Sequence, residues 1–252
     1  MRYKMIRKDV IIIGAGGIGC AVARELSRYQ LNITVLEKDC DVASGASGRN
    51  SAVVHAGFNN RPGSLMAKLC VAGNEGFEAL CLQLDVPYKK TGKILIARDR
   101  GDLDILRGII GQGEVNGCKG LQLIDGDGLA RLAPGVEGIG GMYSPETAIF
   151  DPFTYCIALA ENALNNGVEF KFKSEVAVIE RSDCSGECSR NGGPGPRFIV
   201  RTATGEAYAC DYLINCAGLG SDKISEMAGV SGYHIYPCRG EYFILDKVAD
   251  RL

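Results

Sequence analysis

Asp9-Val10-Ile11-Ile12-Ile13 runs straight into Gly14-Ala15-Gly16-Gly17-Ile18-Gly19, and the reading of this stretch decides the fold. A short β-branched apolar run that meets glycines reads as a buried strand ending in a tight turn. Cys20 to Arg28 then has the composition of a helix, and Asn32-Ile33-Thr34-Val35-Leu36 is a second apolar run that ends on Glu37. Strand, glycine turn, helix, strand and acid come in the order that a dinucleotide-binding βαβ unit requires. Gly14 allows the turn. Gly16, without a Cβ, lets a pyrophosphate approach the backbone. Gly19 lets the helix pack close to the sheet. The unpaired N–H groups at the helix start, around Gly17, face the phosphates, where the helix dipole favours negative charge. Glu37 lies 18 residues beyond Gly19. A carboxylate there accepts hydrogen bonds from ribose hydroxyls and repels a 2′-phosphate, which disfavours NADP. The plain alternative is a glycine-rich turn with no ligand.

The chain has 252 residues, enough for one large domain or two small ones, with net charge −2 and 46% hydrophobic residues. That balance gives no electrostatic pull toward nucleic acid or an anionic membrane. Eleven cysteines is a high count. Cys20, Cys70, Cys81, Cys156, Cys210 and Cys216 sit among apolar residues and read as buried, reduced thiols of a cytoplasmic protein. Cys184 and Cys188 form a C-x-x-x-C in a polar loop with no second pair at metal spacing, so no metal is expected. Arg2, Lys4, Arg7 and Lys8 before an apolar run superficially resemble a secretory signal, but the glycines inside the run argue against one. No stretch reaches the roughly 18 apolar residues of a membrane span.

Farther along, Pro62 to about Leu84 has helical periodicity, with Leu65, Leu69, Phe77, Leu80 and Leu84 as its apolar stripe. Gly92 to Ala97 reads as a strand, Asp102 to Ile110 and Asp125 to Leu132 as helices, and Gly138 to Tyr143 as a strand. Asp151-Pro152 opens a helix through Asn165, with proline at an early position. Val168 to Phe172, Glu175 to Glu180, Phe198 to Thr202 and Ala207 to Tyr212 read as strands, the last ones as a β-meander. Ser182 to Pro196 reads as a surface excursion of the hairpin kind. Leu213-Ile214-Asn215-Cys216-Ala217-Gly218 is a strand ending in a turn, Ser221 to Ala228 a short helix, and Tyr233 to Leu245 a strand region. A plain Rossmann enzyme would alternate strands and helices throughout. The meander argues against that and against an NAD-dependent dehydrogenase.

Five segments together resemble the D-amino-acid-oxidase-like FAD-dependent oxidoreductases, over essentially the whole chain. They are the Gly14–Glu37 unit; Ser44-Gly45-Ala46-Ser47-Gly48-Arg49-Asn50-Ser51-Ala52-Val53-Val54-His55-Ala56-Gly57; Pro62-Gly63-Ser64-Leu65 with Ala67-Lys68-Leu69-Cys70; Pro145-Glu146-Thr147-Ala148-Ile149-Phe150-Asp151-Pro152; and Asn215-Cys216-Ala217-Gly218 followed by Arg239-Gly240-Glu241-Tyr242-Phe243. Within the family the chain looks most like glycerol-3-phosphate and L-2-hydroxyglutarate dehydrogenases, especially of the clostridial type. The resemblance implies an α/β fold with α+β elements: a Rossmann-like FAD-binding domain with a β-meander over 1–86 and 145–232, and a partial mixed-sheet substrate domain over 87–144 and 233–252. Relatives run on well past this length, so the chain is expected to be an N-terminal part that binds FAD weakly or not at all and shows no turnover by itself.

The resemblance also implies roles. FAD would be held by Gly14, Gly16, Gly17, Gly19, Glu37, Lys38, Ser44, Ser47, Gly48, Arg49, Asn50, Ser51, Val176, Ala217 and Gly218. The 44–51 loop would supply hydroxyl and N–H donors, and Val176 a backbone contact to adenine. His55 is one of two histidines. It reads as a hydrogen-bond partner or base for the substrate hydroxyl, as a site of covalent flavin attachment, or as a packing residue. Arg49 would bind an anionic substrate group or a phosphate, with a surface ion pair as the alternative, and Arg239, by position alone, a substrate carboxylate or phosphate. The implied reaction oxidises a small anionic secondary alcohol to a ketone, with hydride passing to flavin N5 and electrons leaving to a quinone, oxygen or another redox protein. Peripheral attachment to a membrane stays open. An amine or amino-acid oxidase on the same fold, an NAD-binding protein and a nucleotide sensor without activity are the competing readings.

Overall fold

The computed structural model describes residues 5–181 and 195–242. In chain order the elements are β1 (Met5–Arg7), β2 (Val10–Ile13), α1 (Gly17–Leu26), β3 (Ile33–Leu36), β4 (Val53–Val54), α2 (Leu65–Gln83), β5 (Tyr88–Lys89), β6 (Lys93–Ala97), α3 (Arg100–Asn116), β7 (Gln122–Asp125) and α4 (Gly126–Leu132). They continue with β8 (Gly140–Ser144), β9 (Ala148–Phe150), α5 (Pro152–Asn165), β10 (Glu169–Lys171), β11 (Val176–Arg181), β12 (Phe198–Thr202), β13 (Ala207–Cys210), β14 (Tyr212–Asn215) and α6 (Ser221–Met227). The chain forms two compact units, Met1–Asn50 with Pro152–Cys238 and Ser51–Asp151 with Arg239–Leu252.

The first unit is built on a parallel sheet in the order β10-β3-β2-β14. Every residue of β2 and β3 is buried, which is why both read as unbroken apolar runs. Side chains alternate across a strand, so Ile11 and Ile13 face one way and Val10 and Ile12 the other. Ile11, Ile13 and Leu36 pack with Val176, Ile179, Val200, Tyr208 and Cys210 of a second sheet, β1-β13-β12-β11, and with Ile224 of α6. Burying each such aliphatic side chain contributes about 1.5–3 kcal/mol. Helices α1 and α5 pack against each other in the same unit.

The second unit holds two three-stranded sheets, β4-β9-β5 and β6-β8-β7. Its core is Ala56, Phe58, Ala97, Leu106 and Met142, with Leu95, Leu103, Ile109, Ile110, Cys118 and Leu121 around it. The units divide after residues 50 and 151, whereas the sequence reading set boundaries near 86 and 145. The pairing of Val53 with Ile149 and of Tyr88 with Phe150 explains the difference, since it draws 51–86 and 145–151 into this unit.

Other readings need correction. In α2 only the first turns of the expected stripe fail: Leu65 and Leu69 are 69% and 58% exposed and Ala67 is buried there, whereas Phe77, Leu80 and Leu84 are half-buried on the side of the buried Cys81. Phe77 packs edge-on against Phe150 at 4.9 Å. Cys70 and Cys216 are only half-buried. Tyr233–Tyr242 form no strand. Phe243–Leu245 and most of the 182–196 excursion, with Cys184 and Cys188, lie outside the described residues.

Candidate functional site

The first unit gathers its polar backbone at the C-terminal ends of β2, β3 and β14. Gly14 turns the chain off β2 with φ +101° and donates its N–H to Leu36 O at 2.8 Å. A side chain there would also crowd Cys216 O at 2.5 Å. At Gly19 a Cβ would run into the carbonyl oxygen of Gly14. The first and last glycines of the motif are therefore set by the close approach of α1 to the turn and to the 216–217 backbone.

Gly16 is the N-cap of α1, in extended conformation and with no side-chain cap bond. The first N–H groups of a helix have no acceptor within it. That of Gly17 is taken by Ser47 Oγ at 2.9 Å; those of Ile18 and Gly19 remain for an outside acceptor. A Cβ at Gly16 would lie 3.0 Å from Ser47 Oγ, in the space in front of the helix. This is a small, donor-lined opening at the positive end of a helix dipole, and it fits a phosphate group.

Glu37 follows β3 and is buried. Its Oε2 accepts the Ala15 N–H at 2.6 Å and its Oε1 the Asp39 N–H at 2.9 Å. The carboxylate thus braces the turn, and each oxygen keeps a lone pair for a ribose hydroxyl. Lys38 beside it is exposed. Beneath the turn, Cys20 donates its thiol to Ala15 O at 3.3 Å. Burial first, then the neighbouring Cys156, Glu37 and Cys216, push that thiol up to about 12.

The 44–50 loop folds on itself around a 3-10 turn at Ala46–Gly48. Ser44 Oγ donates to Asp41 O at 2.8 Å, and Asn50 Nδ2 to Ser47 O at 2.7 Å. Arg49 Nη1 donates to Ser44 O and to Gly45 O, so the guanidinium is engaged with its own loop. The sequence reading left it open between an anionic substrate group or phosphate and a surface ion pair. Ala217 takes Asn215 Oδ1 on its N–H at 3.2 Å, and Gly218 starts a 3-10 turn. Val176 places its side chain in the core, at a register shift between β11 and β12 that interrupts the ladder there.

Ser51, His55 and Arg239 belong to the second unit. His55 leaves β4 with an exposed side chain and its carbonyl accepting from Cys70 Sγ at 3.4 Å. Partial burial, and then the Lys93 ammonium, hold its pKa below the ordinary value. Arg239 is 87% exposed and 3.5 Å from Glu241. His234, in the first unit, is held through Nδ1 by the buried Asp222 carboxylate at 3.0 Å. The sequence reading passed over Asp222, and also Gln112 and Asn116, which reach the His55 segment from α3. Among the described residues no three metal-binding side chains cluster, and no helix is long and apolar enough to cross a membrane.

Comparison with known proteins places this geometry. A family model described as FAD dependent oxidoreductase matches residues 9–252. A glycerol 3-phosphate dehydrogenase of Caloramator mitchellensis is 39% identical over 97% of this chain and 48% of its own length. The mitochondrial L-2-hydroxyglutarate dehydrogenase of Homo sapiens is 35% identical over 94% of this chain and 52% of its own. Among solved structures, the dithionite-reduced L-α-glycerophosphate oxidase of Mycoplasma pneumoniae with FAD bound superposes with a TM-score of 0.79 at 26% identity, covering 88% of this chain and 57% of that one. A glycine oxidase of Geobacillus kaustophilus gives 0.78 at 23% identity, over 90% of this chain and 60% of that one. The chain spans about half the length of the curated relatives it matches.

Proposed function

The chain belongs to the FAD-dependent oxidoreductase family, and from that premise we propose that it is part of a dehydrogenase that oxidises a small anionic secondary alcohol, glycerol 3-phosphate or L-2-hydroxyglutarate, to the ketone. The observation that carries the cofactor half of this reading is the start of α1, without a side-chain cap and with two N–H donors left over beside a buried carboxylate. The substrate half rests on the two dehydrogenase relatives.

The site residues suit the cofactor. Ile18 and Gly19 would donate to its pyrophosphate and Glu37 would accept from its ribose. Ser44, Ser47, Gly48, Asn50 and Ser51 would line its path, with Val176 at the adenine and Ala217-Gly218 where the chain must come close. When bound, FAD supplies a two-electron acceptor for the hydride of the alcohol C–H bond. His55 takes the hydroxyl proton on an imidazole nitrogen, and its lowered pKa keeps it neutral and ready to do so near pH 7. Arg239, exposed and only loosely paired, binds the anionic end of the substrate. Arg49 serves by shaping its loop. Electrons then leave to a quinone, oxygen or a redox protein, in the cytoplasm or at a membrane surface.

The test is the visible flavin band of the purified full-length protein, followed on anaerobic addition of glycerol 3-phosphate, then L-2-hydroxyglutarate. Bleaching by one of them supports the reading and names the substrate. A yellow protein bleached by neither, but by an amino acid, would replace it with an oxidase of amines.

A further inference from the structure

The segment that carries His55 is held by side chains from elsewhere in its unit. Strand β4, just before it, is two residues long and pairs with β9 alone. So short a ladder cannot by itself fix the direction in which the chain leaves it. Five carbonyls between His55 and Asn60 are instead bound one by one. His55 O accepts from Cys70 Sγ at 3.4 Å and Ala56 O from Cys118 Sγ at 3.0 Å. Gly57 O accepts from Asn116 Nδ2 at 3.1 Å, Phe58 O from Gln112 Nε2 at 2.8 Å and Asn60 O from Asn116 Nδ2 at 2.8 Å. The thiols are weak donors; the two amides are strong ones.

Asn116 is the central tether. Both hydrogens of its amide go to the turn closed by Asn60 N–H and Gly57 O, one to each end. Its Oδ1 is buried and has no hydrogen-bond partner. A buried oxygen without a partner is costly, so the site keeps its asparagine for the two donors and not for the acceptor. Gln112 lies one helical turn earlier, on the same face of α3. The two residues enter the turn side by side.

We propose that Asn116 and Gln112 are positioning residues for His55, fixing through the 57–60 turn the direction of its imidazole for proton removal. The proposal rests on the acid–base reading of His55. With the amides gone, the turn loosens and the His55 ring, already exposed, samples directions away from Lys93, the charged group that faces it.

The experiment is a pH titration of the histidine ring signals by NMR in the full-length protein and in Asn116→Ala, with His55→Ala to assign the resonance and the amide spectrum as the fold reference. The expected result is a dispersed amide spectrum like the parent's, while His55 broadens and its midpoint rises toward the ordinary value of about 6.5. Flavin reduction by the substrate then slows about tenfold or more, with KM within about twofold. Should Asn116→Ala fail to fold, Gln112→Leu, which removes one donor at similar shape, reads the same shift. An identical His55 titration in the folded variants overturns the proposal. Full flavin reduction in His55→Ala overturns the acid–base reading instead, and the titration still decides whether the tether sets the imidazole.

Discussion

Ser47 holds the first turn of α1 from outside the helix: its Oγ accepts the Gly17 N–H at 2.9 Å, across 30 residues of chain. The bond joins the 44–50 loop to the glycine turn. A neutral hydrogen bond of this kind contributes about 1 kcal/mol. Ser47→Ala should free the loop and weaken FAD binding about fivefold, read by titrating flavin fluorescence. Unchanged affinity would show that the loop keeps its place by its internal bonds alone.

Gly19 and Gly45 make opposite predictions for the same substitution. Gly19→Ala drives a Cβ into the Gly14 carbonyl oxygen, and backbone cannot repack around it. The loss should be about 3 kcal/mol or more in urea unfolding, with FAD binding lost as well. Gly45 has negative φ and open space about it. Gly45→Ala should stay within about 0.5 kcal/mol of the parent.

Flavin reduction should rise with pH as His55 loses its proton. Burial, then Lys93, disfavours the charged imidazole, so the midpoint should lie below the ordinary histidine value. Lys93→Ala should raise that midpoint. His55→Ala should remove the acidic limb of the profile and slow the step by about 10² or more.

Acid stability offers a test away from the site. Hydrogen bonds from Lys171 and Lys8 hold the Glu169 carboxyl down to about 2, against 4.5 ordinarily. A depressed folded pKa stabilises the fold above the unfolded value, and that contribution is lost as pH falls from about 4.5 toward 2. The side chain is 38% exposed, so solvent screening trims the effect. Glu169→Gln should flatten the denaturation midpoint across that window, in thermal melts taken from pH 6 down to 3.

What could be read from the sequence was what is local. The turn from Ile13 to Gly19 and the acid at Glu37 declare themselves because fully buried parallel strands are apolar at every position, and glycine marks where backbones meet. In α2 the same kind of reading failed over the first turns, because the helix buries Ala67 there while leaving Leu65 and Leu69 in water. Counting large apolar residues passes over a small buried one. Helix α3 extends well past Ile110 despite Gly111 and Gly113, and a side chain at Gly113 would crowd Leu121 first and then Phe58. Strands β4, β5 and β9 are two or three residues long and exist only through partners distant in the chain. Gln112 and Asn116 were invisible for the same reason: their acceptors lie more than 50 residues away.

Helix α1 has no side-chain cap at its N-cap residue, and its only side-chain help among the described residues is the Gly17 N–H donating to Ser47 Oγ. A ligand phosphate that completes the cap adds its binding energy to the stability of the folded chain. Cofactor supply and persistence of the fold are thereby linked: copies without FAD should open more often and be cut sooner in limited proteolysis.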